Sequence, residues 1–325
     1  MCEKRVPWWL WLQVLCLDAP LVAVLWGAAL GKSHYLHLSP VYLWVLGLAT
    51  WLIYLVDRVA DHEPGRSPES ARHRFCKRYQ PWVWAVVAVG GVGLGWLALS
   101  RLPVALVGQG MVIAMLATLY LAVFAARRKA WLHGLLLVIA LGMAVIFILQ
   151  MPGSSEGVRW WRLGIAAVVV FIFMRLLVHR DRELGLLKTF KEPLAALLFT
   201  LGCSAGVHFW TPPEHGVLCA ETWLLWGLFA LNLWCISAAE HFHAAPDRSV
   251  PVDLSMLAIA LVIAGEWLKG SHASAGVVIE CVQLSALLLA LLPLWMRRIP
   301  LPLYHVLADG VLVLPLGSLF WRLSE

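Results

Sequence analysis

The chain has 325 residues, 61% of them hydrophobic and only 14% charged, with a net charge of +6. Soluble domains carry about 25% charged residues, so a soluble fold could not hide this much apolar surface and lipid must solvate much of it. The positive balance does not call for nucleic acid as a partner, because the cations fall in short connections between apolar runs, as membrane orientation requires.

A bilayer core roughly 30 Å thick needs about 20 apolar residues per helix. Runs of that kind lie at 8–30, 41–56, 82–99, 103–125, 131–149, 161–178, 193–210, 220–239, 253–268, 275–296 and 302–321. They predict an all-α polytopic transmembrane bundle of about nine to eleven helices in a single membrane domain spanning 1–325. The 253–268 run is among the shortest. A transmembrane β-barrel is excluded, since its strands would alternate apolar and polar residues.

The first run follows Lys4 and Arg5, as a secretory signal would, but it is long, rich in Trp and carries Asp18 and Pro20. It reads as a retained helix. The second run leads into Tyr54-Leu55-Val56-Asp57-Arg58-Val59-Ala60-Asp61 and a basic stretch with Arg66, Arg72, Arg74, Lys77 and Arg78. If the helix continues here, Tyr54, Asp57 and Asp61 share one face, at i, i+3 and i+7. Two carboxylates one turn apart can share a hard cation such as Mg²⁺, whose shell is completed by water and phosphate. The neighbouring arginines supply forked donors for phosphate oxygens. Gly90 to Gly95 in the third run reads as a close-packing stretch and not a nucleotide loop.

After the sixth run comes His179-Arg180-Asp181-Arg182-Glu183-Leu184-Gly185-Leu186-Leu187-Lys188-Thr189, which again mixes acids with bases. Each of these two loops, taken alone, also reads as a solvated, salt-bridged connection that enforces topology. Later in the chain, Glu240-His241-Phe242-His243 and Asp247 lie at a helix end. His-x-His could bind a metal, line a site, or simply sit in an interfacial loop. Asp309 lies inside the last run with His305 one turn earlier, and a pair satisfied within the bundle is the plain reading. Asn232, Gln109, Gln150 and Gln283 read as interhelical hydrogen-bonding residues. Trp8, Trp9, Trp82, Trp160 and Trp161 stand at helix ends, where headgroups would hold them.

The seven cysteines, Cys2, Cys16, Cys76, Cys203, Cys219, Cys235 and Cys281, form no CxxC pair and read as small apolar residues. With the N-terminus cytoplasmic, only Lys32, Arg101, Arg159, Arg162, Lys269 and Arg322 of the 25 Lys and Arg residues fall outside. That bias sets the orientation and puts both acidic–basic loops on the inner side.

These loops resemble the motifs of the UbiA-type superfamily of intramembrane prenyltransferases. In that family an NDxxDxxxD motif follows helix two and a second acidic motif follows helix six. Here Asp57 and Asp61 match the last two acids of the first motif, while Ile53 and Tyr54 stand where the family has Asn and its first Asp. The stretch with Arg66, Arg72 and Arg74 is similar to that motif's Arg-containing tail, with different spacing. Asp181-Arg182-Glu183 and Gly185-x-x-Lys188-Thr189 look like a shortened DRxxD…GxKS pattern, and Leu17-Asp18-Ala19-Pro20 resembles the family's LRxDKP start of helix one. The likeness covers 12–210 in helix order and loop placement, within a UbiA-like core of about 12–270. The helices of about 275–321 are additional to the family's usual nine.

The resemblance implies Mg²⁺ held by Asp57, Asp61, Asp181 and Glu183. It implies a polyprenyl diphosphate bound by Tyr54, Arg58, Arg66, Arg72, Arg74, Arg182 and Lys188, with Asp57, Asp61 and Asp181 carrying the chemistry. The expected reaction moves a prenyl group to a small lipid-soluble acceptor, such as an aromatic one, at the inner face of a bacterial cytoplasmic membrane. Its rival is a non-catalytic protein on the same scaffold, a transporter or assembly factor.

Overall fold

The computed structural model describes residues 7–60, 75–76, 78–125, 134–136, 138–139, 142, 191–210, 220–244, 253–269 and 276–322. Every regular element among them is helical. A short turn, Trp8–Leu10, leads into α1 (Trp11–Val14) and α2 (Asp18–Ser33). Then come α3 (Pro40–Ala60), α4 (Gln80–Arg101) and α5 (Val104–Tyr120), the last running into a π-helical turn, Leu121–Ala125. The later helices are α6 (Lys191–Trp210), α7 (Ala220–Ala244), α8 (Asp253–Lys269), α9 (Gly276–Trp295) and α10 (Leu301–Arg322).

Seven of these helices are long and apolar enough to cross a membrane, and an eighth span is added if α1 and α2 count as one bent crossing. The protein is a multi-pass integral membrane protein by helix length and hydropathy. The 17 residues of α8 reach about 26 Å at 1.5 Å each, the lower edge of what a hydrocarbon core requires. The predicted runs 131–149 and 161–178 lie outside the described residues, apart from a few isolated positions.

The 8–30 run is not one helix. Its two pieces meet at 78° across a break at residues 15–17. Pro20 explains the break: it offers no N–H to the Cys16 carbonyl four residues back, and its ring crowds that carbonyl. Cys16 takes a left-handed backbone, φ 56°, a conformation that a non-glycine residue adopts only at some cost. Trp51 Nε1 braces the break by donating to the Leu15 carbonyl at 2.9 Å.

Two later prolines lie inside helices, Pro293 in α9 and Pro315 in α10. Each frees the carbonyl four residues earlier, and in lipid a freed carbonyl needs a new partner. Ser285 Oγ donates to the Val311 carbonyl at 3.1 Å. The Cys235 thiol points at the Leu289 carbonyl at 4.0 Å, a long and weak contact. The sequence thus sets a small polar side chain on the facing helix opposite each proline-opened gap.

Interhelical contacts fix the direction of each helix. Near the start of α3, Tyr42 Oη donates to the Gly202 carbonyl at 3.0 Å and accepts from Gly206 N at 2.9 Å. The end of α6 therefore lies beside the start of α3. His208 meets Thr222 at 3.2 Å, which brings the start of α7 to the same level. Gln283 Nε2 donates to the Val262 carbonyl at 2.8 Å and to Glu266 at 3.0 Å, placing the start of α9 by the end of α8. His305 and Glu240 lie 3.4 Å apart, joining the start of α10 to the end of α7. Ala60, Lys191, Ala244, Trp295 and Leu301 thus share one end of the bundle, called the Ala60 end below. Ser33, Pro40, Trp210 and Gly276 share the other.

The main core draws on α2, α3 and α6–α10, with Leu106 of α5. Trp26, fully buried, donates to the Leu312 carbonyl at 3.1 Å. By contrast Val83 is the one buried residue of α4, and Trp82, Val89, Val92, Trp96 and Leu99 face outward. An apolar face of this kind suits lipid. The glycine stretch on α4 packs at one position only: a Cβ on Gly90 would come within 2.9 Å of Leu52, whereas Gly91, Gly93 and Gly95 meet no described atom within 4 Å. One glycine in that stretch serves close packing because successive residues turn by about 100°.

Candidate functional site

The three predicted site residues that the structure describes, Tyr54, Asp57 and Arg58, lie in the last two turns of α3, at the Ala60 end. The helix does continue through the predicted polar segment as far as Ala60. Arg58 is four residues from Tyr54, one helical turn along the same face, and its guanidinium lies 5.0 Å from the ring centroid. Asp61, Arg66, Arg72, Arg74, Asp181, Arg182, Glu183 and Lys188 lie outside the described residues.

A second strand of the site comes from the break between α1 and α2. Arg58 stands within electrostatic reach of Asp57 on its own helix and of Asp18 and Cys16 across the interface. Asp18 opens α2 and is 9% exposed. Its position in the first helical turn favours a carboxylate, since the exposed N–H groups there carry partial positive charge. Cys16 and Cys76 are packed with Leu55, Val59 and Val83 in one buried cluster. Among the described residues, Cys16, Cys76, Cys203, Cys235 and Cys281 are buried and form no disulfide.

Two carboxylates from different helices thus stand within electrostatic reach of one guanidinium. Among the described residues, Asp18 Oδ1 and Arg58 Nε are buried without a hydrogen-bond partner. Gln13 Nε2, on α1, is buried in the same condition. A buried polar atom without a protein partner can be answered by water, an ion or a ligand. The site offers an acceptor for a cation and donors for an anion, a chemistry suited to a metal–phosphate pair.

Mg²⁺ takes hard oxygen donors, one or two of them carboxylates, and completes its shell with water and phosphate. The orphaned Asp18 Oδ1 and the Asp57 carboxylate are such donors, so the chemistry present fits that ion. Among the described residues no three His, Cys, Asp or Glu side chains converge as a metal site. The remaining ligands would be water, phosphate oxygens or residues outside the described set.

The other polar residues fall into place around helix ends. His241 Nδ1 bonds to the Ser237 carbonyl at 2.7 Å and His243 Nδ1 to the Ala239 carbonyl at 2.9 Å, each one turn back on α7. His243 Nε2 lies 3.3 Å from the Ile299 carbonyl. These bonds to backbone oxygens orient both rings. His305 and Asp309 both reach α7: His305 to Glu240, and Asp309 accepting from Asn232 Nδ2 at 3.3 Å. Asn232 and Gln283 bridge helices as their sequence positions suggest, while Gln109 is exposed.

Sequence reading named Arg58 as a phosphate ligand but not as the centre of an ionic cluster with Asp18. The available signal was the pairing of Asp18 with Pro20, which breaks the first run and carries a carboxylate to a helix start. No protein-family profile, curated protein or solved structure matches the chain.

Proposed function

We propose that this chain is a UbiA-like, Mg²⁺-dependent prenyltransferase, moving a prenyl group from a polyprenyl diphosphate to a small lipid-soluble acceptor. The observation that carries the reading is the cluster of Asp18, Asp57 and Arg58 at the Ala60 end, where Asp18 Oδ1 and Arg58 Nε are buried without a hydrogen-bond partner among the described residues. Asp57 occupies a motif position of the first acidic loop, and Asp18 that of the acid near the start of helix one.

In this reading Asp57, Asp61, Asp181 and Glu183 hold Mg²⁺, which supplies positive charge to the diphosphate. Arg58, Arg66, Arg72, Arg74, Arg182 and Lys188 hold the diphosphate oxygens, and Tyr54 lines the same face. Fixed charge at the place where the leaving group gains charge lowers the barrier to breaking the carbon–oxygen bond. The allylic carbon is then attacked by the acceptor, which gives up a proton as diphosphate leaves. Aromatic π faces shield the cation on the way, and exclusion of water prevents its hydrolysis.

The reading puts the Ala60 end in the cytoplasm, on the strength of Arg66, Arg72, Arg74, Lys77 and Arg78 next to α3 and of Arg127, Arg128 and Lys129 after α5. Single cysteines placed in 58–78 or 175–191, in a background lacking native cysteine, are expected to resist an impermeant thiol reagent added outside intact cells. Ready labelling from outside would invert the orientation and separate the site from a cytoplasmic diphosphate.

A second reading has its own observation. Tyr54 stands where the family has an acid, and Arg58 lies over its ring and within electrostatic reach of two carboxylates. A guanidinium placed there neutralises part of the charge that a metal would otherwise answer, as in a non-catalytic transporter or assembly factor built on this scaffold. Incubation of the purified protein with labelled prenyl diphosphates, Mg²⁺ and a lipid extract separates the two. A labelled lipid product that disappears on chelation is expected, and a diphosphate recovered intact at every chain length favours the scaffold.

A further inference from the structure

The first apolar run is divided between a short piece and a long helix, and the angle between them fixes how the short piece lies. The 16 residues of α2 reach about 24 Å at 1.5 Å each, most of a hydrocarbon core of roughly 30 Å. α2 runs from Asp18, within electrostatic reach of Arg58 at the Ala60 end, to Ser33 at the other. It therefore takes most of the crossing distance alone. Transmembrane helices tilt by about 20° on average from the bilayer normal. The Trp8–Val14 piece meets α2 at 78°, so it runs close to the membrane plane. Its level is that of the Ala60 end, near the boundary between acyl chains and headgroups.

The short piece has two faces. Leu10, Gln13 and Val14, at i, i+3 and i+4, are buried. Trp8, Trp11, Leu12 and Leu15, at i, i+3, i+4 and i+7, are exposed, Trp8 by 85%. No charged residue occurs in 8–15. Tryptophan gathers at membrane boundaries because its ring is apolar and its N–H is polar.

This outer face is continuous with the lipid-facing wall of α4. Trp11 meets Phe75 edge-on with ring centroids 6.4 Å apart, and Phe75 lies 4.9 Å from Tyr79. Tyr79 directly precedes α4, and Trp82, 73% exposed, stands in its first turn. The exposed Arg78 has its guanidinium 5.7 Å from the Tyr79 ring centroid. An arginine on an aromatic band at this level suits headgroup phosphates.

We propose that Trp8–Leu15 is an interfacial anchor whose partner is phospholipid. It lies in the membrane plane at the Ala60 end, with Trp8, Trp11, Leu12 and Leu15 against the boundary between acyl chains and headgroups. Trp51, which donates to the Leu15 carbonyl, ties the anchor to α3. The anchor thereby holds the break, and Asp18 beyond it, at headgroup level.

Spin labels test this in full-length protein reconstituted into vesicles of phosphatidylcholine and phosphatidylglycerol. Labels are attached to Trp8→Cys, Leu12→Cys, Leu15→Cys and, on the exposed side of α2, Leu21→Cys, in a background lacking native cysteine. Depth is read from collisions with oxygen, which concentrates in acyl chains, and with a nickel chelate, which stays in water. We expect the labels at 8, 12 and 15 to share one depth, about 5–10 Å into the boundary as for other interfacial helices, and the label at 21 to lie deeper. A steady climb toward water from 15 to 8 would mean that the piece continues the crossing, and would overturn the proposal. Spin–spin broadening among the labels would put a second copy on this face, and would overturn it equally. Should the cysteine-free background not fold, benzoylphenylalanine in place of Trp8 or Leu12 leaves the native cysteines intact. On irradiation it should crosslink to phospholipid, and crosslinks to protein alone would refute the inference.

Discussion

Asp57→Ala and Asp181→Ala should each weaken Mg²⁺-dependent binding of a prenyl diphosphate by roughly a hundredfold, and the double variant should be little worse than either single one. The magnitude is that of losing a charge-assisted contact, about 2–3 kcal/mol, with tenfold for every 1.4 kcal/mol. The non-additivity follows from the proposal that both acids serve one cation: once either is lost the ion is lost, and the second deletion has little left to remove. Arg72→Ala should cost only about tenfold, because other bases in the same loops can approach the phosphates. Calorimetric titration of the four proteins with and without Mg²⁺ reads all of this. Independent, additive losses would show that the two acids do not share an ion.

The second large effect is expected at Arg58. Its guanidinium serves Asp18, Asp57 and the Tyr54 ring at once. Truncation to Ala removes the guanidinium that stands within electrostatic reach of Asp18 on α2 and Asp57 on α3. Breaking a fully buried ionic cluster in this way costs about 3–5 kcal/mol, and the half-exposed position of Arg58 reduces this to about 2 kcal/mol. Thermal unfolding in detergent should fall by on the order of 4 °C at about 2 °C per kcal/mol. Arg58→Lys should recover part of the loss, since it restores the charge but not the planar fork. Mg²⁺ should raise the melting point of R58A more than that of the wild type, because the two carboxylates then become free to share the ion. A melting point of R58A that matches the wild type would mean that the cluster contributes little to the fold.

Much of the helix plan could be read from the chain because lipid imposes a simple length rule. Apolar runs such as 82–99 and 275–296 coincide with α4 and α9 to within a few residues. The run at 41–56 was bounded by hydropathy, yet α3 carries on to Ala60. Its last two turns bury Leu55, Val56 and Val59, and Asp57 and Arg58 stand within electrostatic reach of each other there. The first run concealed a 78° break because hydropathy is blind to the carbonyl that Pro20 leaves unpaired at Cys16. That break matters most for the site, since it turns Asp18 from a mid-helix liability into a residue at a helix start.

Side-chain partners were less legible than helices. His305 and Asp309 share a face by spacing, but the Glu240 and Asn232 side chains that meet them stand on α7, and the antiparallel packing of α7 on α10 brings them there. The His241 and His243 rings turn back to their own helix backbone, an option that the His-x-His spacing does not reveal. Ser285 and Cys235 looked like ordinary small residues, yet each faces a carbonyl that a proline on another helix has freed.

The account stands on one claim, that the acidic end of α3 belongs to a Mg²⁺–diphosphate site. The most direct test is calorimetric titration of the wild-type protein with prenyl diphosphates from geranyl upward, first with Mg²⁺ and then with a chelator. The account predicts saturable binding of at least one chain length with Mg²⁺ and none after chelation. No Mg²⁺-dependent affinity for any of them would contradict it.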